Sequence, residues 1–145
     1  MTSQPDSSGM SPEEEFANSY YYFVEALKIL AADADSQCDV MGNYNVAWEL
    51  KYNVSAGLCM LTLPSRELTK QQRDGIAQIV AALDEIPASV LGGGTTASIN
   101  KRAMHHPCWM PLRTRAAELL TLLSGVTSRN EEFLQRGNVG PDQAQ

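Results

Sequence analysis

Ser11-Pro12-Glu13-Glu14-Glu15-Phe16-Ala17-Asn18-Ser19-Tyr20-Tyr21-Tyr22-Phe23-Val24-Glu25-Ala26-Leu27-Lys28-Ile29-Leu30 is the stretch that decides the fold. Ser11 offers a hydroxyl to the free amides of a first helical turn. Pro12 is tolerated at the first helical position, and Glu14 completes a capping box. Behind that start, Phe16, Tyr20, Phe23, Leu27 and Leu30 recur at three- and four-residue steps, one apolar stripe along an α-helix. A helix with a single apolar stripe must be covered by other elements.

The rest of the chain supplies more helices of the same kind. Gly42 and Asn43 break the pattern before a second helix, expected over roughly 45–63 with Val46, Leu50, Val54, Leu58 and Leu61 as its stripe. Pro64-Ser65 ends it. Thr69-Lys70-Gln71-Gln72 is another capping box and opens a third helix, with Ile76, Ile79, Val80, Leu83 and Ile86 inward and Pro87 at its close. Gly92-Gly93-Gly94-Thr95-Thr96 marks the segment 90–101 as a flexible loop. A last helix starts near Trp109–Leu112 and keeps one phase to about Gln135, with a split at Gly125 as the alternative. No strand-like alternation and no internal repeat occurs. The fold class predicted is therefore all-α: a single antiparallel bundle of four to five helices over 11–136, with disordered tails at 1–10 and 137–145.

The 145 residues suit one domain, and 43% apolar content is enough for a core. A net charge of −6 argues against holding nucleic acid with the whole surface. The charge is unevenly spread: residues 1–39 carry eight acids against Lys28 alone, whereas 101–145 carry six bases against four acids. Cys38, Cys59 and Cys108 are odd in number and widely spaced, which suits free thiols in a reducing compartment. The start lacks an export signal, and the longest apolar stretch, 54–63, is too short to cross a bilayer. A cytoplasmic protein with no membrane partner is the expectation.

Met104-His105-His106-Pro107-Cys108-Trp109-Met110-Pro111 holds both histidines and one cysteine, so neutral-pH chemistry would gather there. Adjacent histidines diverge, and His-His-X-Cys lacks the paired spacing of a zinc site. Cys108 near a helix start could be a nucleophile only if His105 or His106 folded back as its base. The packing alternative is a buried anchor in which Trp109 and Met104 fill space and a histidine bonds backbone. Cys59, in an apolar run, reads as a small core residue. The triple glycine lacks the preceding strand and the Gly-Lys-Ser/Thr ending of a phosphate loop. Lys101, Arg102, Arg113 and Arg115 form a basic cluster without the aromatic platform of a single-strand binder. No cofactor and no metal is called for, and the balance leans away from an enzyme.

With Tyr20 and Phe23 on the buried stripe, Tyr21 and Tyr22 turn partly away from it among Glu14, Glu15, Asn18 and Glu25, where they either form a contact surface or cover neighbouring helices or the 90–101 loop. Tyrosine gives rigid contact area and carboxylates select a cationic partner, so this face reads as a surface for a basic protein. Trp48, with Tyr44 and Tyr52 at four-residue spacing, either extends that surface or packs against the first helix. In kind, the face resembles the tyrosine-and-acid surfaces of helical immunity proteins against nuclease colicins, with no motif in common. That likeness implies a bacterial immunity or antidote protein neutralising a basic toxin. The alternatives are a metal-binding protein or cysteine/histidine enzyme at His105, His106 and Cys108, and a homodimer through the first-helix face.

Overall fold

The first capping box forms as the sequence specifies. Ser11 Oγ accepts from the Glu14 amide at 3.1 Å, and Glu14 Oε1 accepts from the Ser11 amide at 2.9 Å, opening α1 (Pro12–Ala31). Phe16, Tyr20, Phe23, Leu27 and Leu30 are all buried. The stripe outweighs the cap, since a buried Leu or Phe contributes about 1.5–3 kcal/mol against about 1 for a cap. The computed structural model describes residues 11–42 and 44–144, so the tail expected at 1–10 lies outside the described residues.

After α1 come α2 (Ala34–Met41), α3 (Val46–Ser55), a 3-10 segment (Ala56–Thr62), α4 (Lys70–Leu83), α5 (Ala88–Leu91), α6 (Ala97–Met104), α7 (Trp109–Leu122) and α8 (Ser124–Ala144). The described residues are thus all-helical, without a strand, and form eight α-helices where four or five were expected. The second capping box is also made, between Thr69 and Gln72. None of the described helices is long and apolar enough to cross a membrane.

Four departures from the sequence reading have local causes. Asp33 accepts from the Ser36 amide at 2.8 Å and starts α2, a helix the periodicity did not announce. The second helix tightens into a 3-10 turn after Ser55, which brings Gly57 so close to Phe23 that a Cβ there would sit 2.2 Å from the ring. The tightening rotates the later stripe: Met60 is buried, whereas Leu58 and Cys59 are exposed. The last helix breaks at Leu123, two residues before the glycine suspected, and α8 runs on to Ala144 where a loose tail was expected from 137.

The fourth departure is the segment 90–101, which is anchored rather than loose. Gly94 takes φ +114, and a Cβ on Gly93 would meet Ile99 at 2.6 Å, so the glycines make a tight turn. Thr96 then caps α6 by accepting from the Ile99 amide. Asn100, buried, accepts from the Val46 amide at 3.0 Å and donates to Tyr44 O at 2.8 Å, tying α6 to the start of α3.

Long-range polar bonds set how the helices lie. The Tyr20 hydroxyl donates to Leu123 O at 3.2 Å and lies 2.7 Å from Thr127 Oγ1, while Asn130 donates to Ala17 O at 3.0 Å. These contacts run α8 antiparallel to α1. At the other end of α1, fully buried Gln37 donates to the carbonyls of Ile29 and Leu30 and accepts from Arg113 at 2.8 Å. Arg113 also donates to Met104 O, so one guanidinium joins α2, α6 and α7, and Gln37 carries the link on to α1. Burial holds its pKa below the usual arginine value, with Asp33 opposing that shift.

Candidate functional site

Glu14, Asn18, Tyr21 and Glu25 fall at four-, three- and four-residue steps on the outer face of α1, with Tyr22 beside them. Tyr21 is 44% exposed and Tyr22 is 70% exposed; their rings meet edge to face with centroids 5.2 Å apart. Glu14 uses one oxygen on the cap, and Glu25 uses one on Lys28 at 3.1 Å, an exposed pair that leaves its other oxygen open. Asn18 is half-buried. Tyr21 and Glu25 border a shallow seam against α8, where Glu131 adds a carboxylate. Glu25 and Glu131 thus face the seam together, with Lys28 beside them among the described residues.

A second aromatic group lies on α3. Tyr44, Trp48 and Tyr52 are 58%, 47% and 59% exposed, so each presents much of its ring to solvent. Trp48 and Tyr52 stack nearly parallel, centroids 5.2 Å apart and planes 6° apart. The signal was their four-residue spacing set off from Val46, Leu50 and Val54, which are buried on the opposite side of the helix. Stacking pre-orders both rings, which lowers the entropy lost when a partner covers them. Beside them, Lys51 is drawn to Asp84 at 3.6 Å.

The histidine–cysteine segment does not converge. His105 turns to Asp35, Nε2 to Oδ1 3.1 Å, whereas His106 Nδ1 accepts from the Cys108 amide at 3.0 Å. His106 thus holds the backbone that enters α7, while Trp109 is fully buried with its indole donating to Ala103 O at 3.0 Å. Met104 is fully buried as well. Burial pushes the Cys108 thiol up, with Arg113 opposing, and burial pushes Cys38 up too, helped by Asp35 and Asp39. A raised thiol is the opposite of what a nucleophile requires. Among the described residues no three His, Cys, Asp or Glu side chains gather in a way that could hold a metal ion.

The basic cluster loses a member, because Arg113 is turned inward to Gln37 while Lys101, Arg102 and Arg115 stay exposed. A cleft of about 610 Å³ lies between the start of α1, the 64–67 turn and α8. Arg66, Arg129 and Arg136 line it, but Glu13, Glu67 and Glu132 match them, and Arg129 pairs with Glu67 at 3.4 Å. Equal numbers of both charges give the cleft little net field for an ion of either sign. Comparison with family models, with curated proteins and with solved structures finds no match to this chain.

Proposed function

We propose that this protein acts by binding another protein, a basic one, through the outer face of α1 formed by Glu14, Asn18, Tyr21, Tyr22 and Glu25. One observation carries the reading: of the five tyrosines only Tyr20 is buried, and Trp48 joins the other four in solvent. Exposed aromatic side chains are the usual anchors of protein interfaces, and the carboxylates around them favour a cationic partner. The sharper form is a bacterial, cytoplasmic immunity or antidote protein that covers a basic toxin. In this reading the working scaffold is one antiparallel bundle of α1, α3, α4, α7 and α8, the short helices serving as connectors. The stacked Trp48–Tyr52 pair extends the contact surface.

The test is affinity capture from the native host with wild type, Tyr21→Ala/Glu25→Lys and Trp48→Ala/Tyr52→Ala. A stoichiometric basic protein retained by wild type and released by the first double variant supports the reading. Retention undiminished by that variant sinks the α1 face, and retention of nothing sinks the binding role.

A further inference from the structure

We infer that the groove between α4 and α7 seats a second copy of this chain, in a two-fold dimer that crosses the two α7 helices antiparallel. The groove consists of two depressions, about 310 Å³ and about 280 Å³, and Arg115 borders both. Gly75 and Leu122 line one end, Ile86 and Pro111 the other, so α4 and α7 run antiparallel beneath it. Its floor is apolar: Ile79, Ile86, Leu112 and Leu119 are each buried.

The rim identifies the occupant. Pro111, Arg115, Glu118 and Leu122 stand at four-, three- and four-residue steps, one stripe of α7 facing the groove. Read in either direction the stripe is apolar, charged, charged, apolar, with the sign inverted on reversal. An antiparallel copy therefore sets Arg115 against Glu118 of the second copy, and Pro111 against its Leu122. Two-fold symmetry makes each contact twice. Arg115 and Glu118 are exposed and lie one turn apart, yet neither forms an ion pair with a described residue. Both are available to a second copy. The α4 side of the groove adds Glu85, so a basic partner would leave Arg115 opposed and an acidic one would leave Glu85 and Glu118 opposed, whereas a second copy pairs Arg115 with Glu118 twice.

Sedimentation equilibrium of the full chain tests this without reference to any toxin or other partner. Wild type should dimerise in the micromolar range, and Arg115→Glu or Glu118→Arg, each bringing like charges together twice, should weaken association about 100-fold. Mixing the two single variants should restore a dimer, because each then meets its opposite charges, and circular dichroism should show both folded. A wild type that stays monomeric to about 100 µM overturns the proposal. So does a dimer that ignores the single changes, or a mixture that fails to reassociate.

Discussion

Replacing Asn100 by alanine should unfasten the segment that the sequence presents as a loose loop. The side chain is 1% exposed, accepts from the Val46 amide at 3.0 Å and donates to Tyr44 O at 2.8 Å, with longer contacts to Thr95 O and Gly42 O. Val46 is the first residue of α3, so its amide has no partner within the helix. Leaving that buried donor unmade costs about 1–3 kcal/mol, and losing the bond to Tyr44 O adds about 1. The total is about 3 kcal/mol, or roughly 10 °C in melting temperature for a chain of this size. Urea unfolding followed by circular dichroism measures it. Thr96→Ala, which removes only the α6 cap, should cost about 1 kcal/mol in the same assay. Asn100→Asp keeps the acceptor but turns a charge toward carbonyl oxygens, so it should be no milder than alanine. A loss below about 1 kcal/mol for Asn100→Ala would refute the reasoning and mark the segment as a tether.

Gly57→Ala forces a Cβ to within 2.2 Å of Phe23 and should cost about 1–3 kcal/mol in urea, whereas Gly125→Ala, whose Cβ would meet nothing nearer than 3.6 Å, should be neutral or stabilising. Burial pushes the Tyr20 pKa from 10.0 up to about 12, partly opposed by the bond to Thr127. The raised value favours the neutral phenol in the folded chain, so stability present below pH 10 should fall by up to about 2 kcal/mol as pH rises toward 12. Tyr20→Phe should flatten that alkaline decline in pH-dependent melts. Cys59, exposed, should react with a thiol reagent about tenfold or more faster at neutral pH than Cys38 and Cys108, which burial shields and raises. Equal rates for the three thiols would contradict their placement.

The helical class and most of the core were legible because long-period apolar stripes and capping boxes are local signals. Ser11–Glu14 and Thr69–Gln72 each made the bonds their spelling implied. Elements held by single polar side chains were not legible. Asn100, Gln37 and Arg113 look like surface residues in sequence, and only the fold brings them to Val46, Ile29 and Met104. The 3-10 turn has no local signature, because Gly57 is small for the sake of Phe23, a contact across the chain. Of the candidate surface, the outward turn of Tyr21 and Tyr22 followed from helix geometry. Whether Trp48 and Tyr52 faced α1 or solvent depended on where α3 packs, which periodicity alone does not determine.

The two tryptophans occupy opposite settings, Trp109 fully buried with its indole nitrogen bonded to Ala103 O, and Trp48 nearly half exposed on a tyrosine ring. Their emission should separate into a blue component shielded from iodide and a red component open to it. The molecule thus carries its own pair of optical reporters. A ligand that covers α3 should change quenching of the red component alone, while loosening of the interior should shift the blue one. Any perturbation of this chain can then be sorted, in one cuvette and without a label, into an event at its surface or an event in its core.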